Sequence, residues 1–331
     1  MQHSVFKRAI STILALTAVV SFGASPAAAQ IVGVAKFVSH PALDALEKGI
    51  VDEISAARPG VKFDLQNSNA DMGTAAQIAR RFKDEKVAVA IGIATPTAQA
   101  LANAIKDAPV IYSAVTDPVA AGLVASLAAG GPNVTGTSDM TPVRQQLEFL
   151  FSLTKIKRLG HIYNAGEANS VKLAELVKGV CKEKGVSLVV STVTNSAEVK
   201  QAILSIAGRI DGIYLGNDNT VFSAINAVAE VAIQRKLPLV TADPSSAESG
   251  VPILAALGFD YYAMGRATGK IALRVLAGEK TSSIPAYLST DPKDFLLVVN
   301  KDTAAKIGLA LPESVIARAQ VVVEGGKATR K

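Results

Sequence analysis

Residues 159–180 read LGHIYNAGEANSVKLAELVKGV, and near the start of the chain residues 32–50 read VGVAKFVSHPALDALEKGI. In each, a short apolar run gives way to small hydrogen-bonding residues and then to a pattern with helical spacing. This is strand, polar loop, helix, the unit from which parallel α/β sheets are built. Outward from these two stretches the alternation continues. IVGVAKF, VKFDLQ, VAVAIGI and PVIYSAV have strand character, and PALDALEKGIVDEISAA, MGTAAQIARRFKDE and TPTAQALANAIK fall between them with helical periodicity. A looser stretch, AAGGPNVTGTSDMTP, interrupts the pattern. It then resumes with the helix VRQQLEFLFSL and the strands RLGHIYN, VSLVVSTV, DGIYLG, LPLVTA and PILAALG. Helices separate the first four of these strands, the last of them TVFSAINAVAEVAIQRK. A long helix, YYAMGRATGKIALRVLAG, carries the apolar stripe Met264, Ala267, Ile271 and Val275. FLLVVN is the expected final strand, with short helices behind it.

The strands are mostly apolar on both faces, as in parallel sheets covered by helices on two sides. The expectation is an α/β protein of two doubly wound parallel-sheet lobes in series, with a border near Gly136–Pro142. The tail serves both lobes. Residues 30–138 plus about 262–290 form lobe 1, and residues 139–261 plus about 291–331 form lobe 2. A length of 331 residues agrees, being too long for most single cores. Hydrophobic residues at 49% against 19% charged favour a packed protein over a disordered one.

The N-terminus is different in kind. MQHSVFKR is basic, AISTILALTAVVSFGA is apolar, and SPAAAQ supplies small residues with Ala27 and Ala29 in Ala-x-Ala spacing. This three-part layout predicts a secretory signal peptide over residues 1–29, cleaved after Ala29, and a periplasmic protein. The apolar run is short of the ~20 residues a membrane span needs, and no Cys follows it to carry a lipid. Losing residues 1–29 removes Lys7 and Arg8 and no acid, which leaves 32 basic against 28 acidic residues. So mild and evenly spread a charge gives no reason to expect nucleic acid as a partner. The single cysteine, Cys181, lies in the helical stretch ELVKGVCKEKG; it has no internal disulfide partner and reads as core.

Parallel α/β sheets bind ligands beyond the carboxyl ends of their strands. The residues beyond each strand end here are small and polar. The first lobe gives Ser39-His40, Asn67 through Asp71, Thr95-Pro96-Thr97 and Thr116-Asp117-Pro118. The second gives Asn164 through Ser170, then Asn217-Asp218-Asn219-Thr220, then Asp243. Helix N-capping accounts for some of these. It leaves a surplus in clusters such as GNDNT, where one residue caps and three polar groups are present. Thr95 and Thr97 flank Pro96 in a first helical turn, whose free amide N–H groups favour a carboxylate. Asp218 and Asp243 place negative charge in the other lobe. Together these suit a small zwitterion, with its carboxylate held by one lobe and its ammonium by the other.

At these residues the chain resembles the exported substrate-binding proteins of ABC importers, which have the type I periplasmic binding protein fold. More narrowly it is similar to the subfamily associated with tryptophan and other aromatic amino acids. The matching stretches are FVSHPALDA, NADMGTAAQIARRF, IATPTAQA, YSAVTDPVAAGLV, PNVTGTSDMTPVRQQLE, IYNAGEANSV, DGIYLGNDNTV and LGFDYYAMGRATGKIA, in consistent order over almost the whole chain after residue 29. The resemblance implies two lobes joined by crossing strands and closing on one ligand, and delivery to an ABC permease with its ATPase. It implies that Thr95, Thr97 and Thr116 hold the carboxylate. It gives the ammonium to Asp243, with Asp218 as competitor, and makes the NAGEANS loop a pocket wall. The expected ligand-binding set is Ser39, Thr95, Thr97, Thr116, Asp117, Asn164, Glu167, Ala168, Asn169, Asn217, Asp218 and Asp243. Phe37, Tyr163, Phe222 and Tyr261 are the aromatic residues that either stack on a ligand or fill the core.

An enzyme is the first rival. His161 sits inside an apolar strand and reads as core; His40 begins a helix and reads as a cap or a supporting residue. There is no Gly-x-Ser-x-Gly elbow, no metal-ligand spacing, and AAGGPNVTG lacks the Lys-Ser/Thr of a phosphate loop. No catalysis, cofactor or metal is expected. The alternative is a periplasmic sensor that presents a small solute to a chemoreceptor or kinase. A monomer with an amino-acid ligand is the expected state.

Overall fold

The computed structural model describes residues 30–289 and 294–331. The expected leader, residues 1–29, lies outside them. Strands β1 (Ile31–Lys36), β2 (Lys62–Asn67), β3 (Val89–Ile93), β4 (Val110–Ser113) and β5 (Val134–Ser138) form one sheet. The chain then builds a second sheet from β6 (Arg158–Asn164), β7 (Ser187–Val193), β8 (Gly212–Leu215), β9 (Leu239–Thr241) and β10 (Ala255–Phe259). It returns to the first sheet with β11 (Tyr287–Leu288), and ends in the second with β12 (Phe295–Asn300), β13 (Val321–Glu324) and β14 (Lys327–Arg330).

The strand orders are β11-β5-β4-β3-β1-β2 and β14-β13-β12-β10-β9-β8-β6-β7. Every pair is parallel except β10 with β12 and β13 with β14. Over their first five strands the two sheets therefore share one winding, 2-1-3-4-5. The expected pair of doubly wound lobes is what the chain forms.

Helices cover both faces of each sheet. In the first, Val32, Val34, Ile91 and Ile111 face a core with Leu43, Leu46 and Ile50, while Ala90, Val110 and Tyr112 face Phe82, Leu101 and Ile105. In the second, Ile162, Ile213 and Leu215 pack with Ile203, Ile206 and Val228, and Leu159, Tyr214 and Val240 with Leu147, Leu150 and Val177. Strands β3, β4, β5 and β8 are buried at every residue. This is why they read as continuous apolar runs or short small-residue runs. Cys181 is buried in the second core, as expected of it. His161 is buried within β6, where its Nδ1 pairs with the Tyr214 carbonyl at 2.9 Å.

Several elements differ from the sequence reading. The looser stretch AAGGPNVTGTSDMTP contains the buried strand β5, and the short helix at Pro244–Glu248 has no counterpart in that reading. The helix expected over residues 220–236 breaks at Ala224 into α7 (Asn219–Ser223) and α8 (Ile225–Gln234). Residues 321–330, with no strand assigned to them, pair as the antiparallel hairpin β13–β14 through Gly325 and Gly326, both at positive φ. A Gly-Gly pair is a two-residue hairpin signal. No helix among the described residues is long and apolar enough to cross a membrane.

Helix α10 (Tyr261–Leu276) follows the second sheet's β10 yet packs on α1 (Pro41–Ala57) of the first lobe. Glycines make the approach close. A Cβ on Gly265 would lie 2.2 Å from the Leu46 carbonyl oxygen, and one on Gly49 would lie 2.3 Å from that of Tyr262. Both obstacles are backbone, so the helices must separate to admit any side chain. Gly265→Ala is expected to cost about 1–3 kcal/mol through overpacking. Gly179→Ala, in the open on α5 (Ala168–Lys184) with nothing within 4 Å, should be neutral or stabilising. Denaturant unfolding of the two variants checks the contrast; equal stability would mean the helices part at no cost.

Candidate functional site

In a 2-1-3-4-5 sheet the connections leave to opposite sides at the junction of the first and third strands, and a crevice opens beyond their carboxyl ends. The two sheets turn these crevices toward each other, and one cavity lies between. His40 follows β1, Thr95 follows β3, Ala114 and Thr116 follow β4, and Asp139 follows β5. From the other lobe, Asn169 follows β6; Asn217, Asp218, Asn219 and Phe222 follow β8; Asp243 follows β9; Tyr261 follows β10. Ala42 and Leu43 of α1 complete the lining. The space between lining atoms is about 350 Å³, of which about 20 Å³ admits the centre of a water-sized sphere. The walls are close together.

The cavity has three aspartates and no lysine or arginine. Asp139 accepts from Thr116 Oγ1 at 2.9 Å, Asn217 Nδ2 at 2.9 Å and Tyr261 Oη at 3.1 Å. Burial holds its carboxyl above the ordinary range, against the pull of these three donors. Asp218 caps α7 by accepting from the Val221 amide at 2.8 Å, and it also accepts from the Asn164 amide. Burial, and then the neighbouring charge of Glu167, push it up to about 7. Asp243 caps α9 (Pro244–Glu248) through the Ser245 amide at 2.8 Å and also accepts from the Ser246 hydroxyl. Five buried polar atoms of the lining residues have no partner: Thr95 Oγ1, both His40 ring nitrogens, Asn169 Oδ1 and Asn217 Oδ1. Unpaired buried polar groups are rare in folded proteins, and five of the ten such side-chain atoms among the described residues belong to this one lining. Backbone strain gathers there too. Ala94, which caps α3 (Thr95–Ala104), has φ of 76°, and Ala114 in the lining has φ of 52°. Ala114 opens onto the cavity and Ala94 stands directly before Thr95, and the chain holds both conformations at some cost.

Of the expected residues, Thr95, Thr116, Asn169, Asn217, Asp218 and Asp243 come together in this lining. The others do not reach it. Ser39 is exposed and donates to Asp44 at 2.7 Å. Thr97 is buried and turns its hydroxyl back on the Ile93 and Ala94 carbonyls, which ends its availability as a carboxylate donor. Asp117 pairs with Lys172 of the second lobe at 3.1 Å. Asn164 lies one layer out, its amide on Asp218 and its Nδ2 on Thr220 Oγ1 at 2.8 Å. Glu167 is buried and accepts from the Thr220 amide and hydroxyl and the Asn219 side chain, so it ties β6's loop to α7. Ala168 is exposed. Asp139 was not among the expected residues, nor was His40. Of the aromatic residues, Phe222 and Tyr261 line the cavity, and Phe37 is core. Among the described residues no group of three or more His, Cys, Asp or Glu is set to hold a metal ion.

The ABC transporter substrate binding protein family matches residues 31–323. The chain belongs to this family. It is 38% identical to the tyrosine-binding protein of Clostridioides difficile over 277 residues, 82% of this chain and 79% of that protein. Among solved structures, a Streptococcus pneumoniae ABC domain in complex with L-Trp is 34% identical, with a TM-score of 0.84 over 89% of this chain and all of that one. A ligand-free, open structure of a substrate-binding protein with adhesive properties from Clostridium difficile is 37% identical, with a TM-score of 0.63 over 86% of this chain and 96% of that one. The fold is that of the type I periplasmic binding proteins. The family and these relatives are solute-binding proteins and not enzymes.

An acid whose folded pKa is raised holds its proton better in the folded chain than in the unfolded one. The contribution of Asp218 is therefore full below about pH 4 and is lost as pH rises through about 7. His161, lowered to about 4 by burial, acts in the opposite direction, losing its contribution as pH falls below about 6.5. Comparing melting temperatures of wild type and Asp218→Asn between pH 4 and 8 separates them. The variant should lose the decline toward neutral pH, and an unaltered profile would place that titration elsewhere.

Proposed function

We propose that this substrate-binding protein is the exported receptor of an ABC importer, and that it binds an aromatic amino acid by closing its lobes. The observation that carries the reading is the cavity at the two facing switch points, rich in buried acid and unpaired polar atoms and free of lysine and arginine. An ammonium supplies the missing cation beside Asp139, Asp218 and Asp243. Thr95 Oγ1 and the first-turn amides of α3 are neutral donors suited to the carboxylate. Ala42, Leu43, Ala114 and Phe222 give the cavity an apolar portion for a side chain. Relatives named for tyrosine, or solved with L-Trp, support an aromatic one.

Lobe closure is supported by the comparison of shapes. At similar identity the chain is nearer to the L-Trp complex, at 0.84, than to the open ligand-free structure, at 0.63. The lobes comprise residues 30–138 with about 262–290, and 139–261 with about 291–331, which places three connections between them. The salt bridge from Asp117 to Lys172 then holds the closed form across the cleft. The leader-like residues 1–29 support export to the periplasm, and the family supports delivery to a permease and its ATPase.

Hydrogen bonds to charged groups contribute roughly 1.5–3 kcal/mol each, and micromolar affinity needs about 8 kcal/mol. Two or three such bonds and a buried ring reach that value once closure excludes water. The direct test is mass spectrometry of whatever accompanies the purified protein, followed by melting with each of the twenty amino acids. Tyrosine or tryptophan should raise the melting temperature, as a ligand of the native state must; no shift with any amino acid would overturn the reading.

Thr95 offers a sharper check. Its hydroxyl has no partner within the protein, so Thr95→Val should leave the melting temperature of the ligand-free protein within a degree or two. It should weaken ligand binding about tenfold, read by calorimetry. Equal affinity in the two proteins removes Thr95 from the ligand's contacts.

A further inference from the structure

His40 lines this cavity but is not among the groups proposed above to grip an ammonium or a carboxylate. It caps α1 by position but makes no side-chain capping bond, and it is only 8% exposed. Neither ring nitrogen makes a hydrogen bond of good geometry, although the Asn219 side chain lies close enough to act on the ring. Burial lowers its pKa, outweighing Asp243, Asp44, the Asn219 side chain and Glu167, all of which favour the protonated ring. A neutral imidazole carries one donor and one acceptor, and here both are unspent.

Its surroundings differ from those of the other unpaired groups. Ala42 and Leu43 follow it on the same helix, and the Phe222 ring lies 6.0 Å from its own, tilted by 34°. Asp139, Asn169, Asn217 and Thr116, by contrast, are bonded to one another or to polar neighbours. The cavity thus has a polar portion suited to an amino acid's charged groups. Its apolar portion is interrupted by a single hydrogen-bonding ring.

We propose that His40 reads a hydrogen-bonding group on the ligand's own ring, accepting a hydrogen bond from the phenol hydroxyl of tyrosine or the indole N–H of tryptophan, so that phenylalanine is discriminated against. The proposal rests on the aromatic amino-acid reading of the same cavity. Phenylalanine would fill the apolar portion but leave the imidazole unpaired and cut off from water. A site built around a buried polar group rejects the analogue that cannot satisfy it far more strongly than an apolar pocket rejects a smaller side chain.

The test is calorimetry of the purified protein and of His40→Phe and His40→Gln with L-tyrosine, L-tryptophan and L-phenylalanine. Wild type should bind tyrosine, tryptophan or both at least about tenfold more tightly than phenylalanine. His40→Phe should bring that ratio close to one, and His40→Gln, which retains a donor and an acceptor, should keep part of it. A ratio undiminished in His40→Phe, or absent from wild type, overturns the role of His40 while the aromatic site stands. Failure of wild type to bind any of the three overturns the aromatic site and this role with it. Imidazole nitrogen resonances provide a reading that needs no variant. His40 should shift on adding tyrosine or tryptophan and much less with phenylalanine, while His161, bonded to the Tyr214 carbonyl inside β6, remains still. Equal shifts of His40 with all three ligands would contradict the proposal.

Discussion

Both sheets are covered on two faces, and that constraint decides where this protein keeps its chemistry. A polar side chain without a partner in the middle of β3 or β8 would be stripped of water at a cost of several kcal/mol, which Tyr214 of β8 avoids by donating to Gln146. The parallel strands run in one direction, so polar groups that cannot lie along them collect beyond their carboxyl ends. With two such sheets turned toward each other, the loops after β1, β3, β4 and β5 meet those after β6, β8, β9 and β10. Asp139 shows the result most directly. It stands on the first connection between the sheets and binds Thr116 on one side, Asn217 on the other and Tyr261 at the start of α10.

The acid content of the cavity obeys the same logic. A buried carboxylate without a cation is stabilised by hydrogen-bond donors or by taking up a proton. Asp243 has amide and hydroxyl donors at α9. Asp139 and Asp218 have donors as well, yet burial still leaves both above the usual carboxylate range. A cationic group brought in by a ligand relieves both at once. Glu167, equally buried, spends its carboxylate on Asn219 and Thr220 and so sets the shape of the wall without facing the cavity.

Much of the fold is legible in the sequence because alternation of apolar runs and helical spacing survives in a parallel α/β protein with little interference. The winding of each lobe and the return of the tail to both are open to the same reading. The failures are local. Ala224 gives no sign in the sequence that it interrupts a helix, since alanine favours helix and the break depends on what α7 packs against. The hairpin at Gly325-Gly326 carries its signal in those two glycines, but it stands behind β12, a strand strong enough to read as the last. Within the site, position after a strand is informative and orientation is not. Thr95 and Thr97 are equivalent in the sequence, but a helical first turn sends one hydroxyl into the cavity and the other back onto Ile93. Asp139 is hidden because a buried acid in a run of Gly, Ser, Thr and Pro looks the same as a turn residue. Its three donors come from residues 23, 78 and 122 positions away. Long-range pairing of that kind leaves no local trace.

The glycine-lined contact of α1 with α10 has a consequence for how the chain matures. Helix α1 is made near the beginning of synthesis, and the helix that covers it is made only after the whole of β6 to β10. Until then Leu46, Ile50 and Ile54 lack part of their final cover. The amino-terminal lobe therefore cannot complete its core as it emerges, and the carboxy-terminal lobe has most of its strands in hand first. A polypeptide assembled in that order cannot finish packing its leading end until most of it has been made.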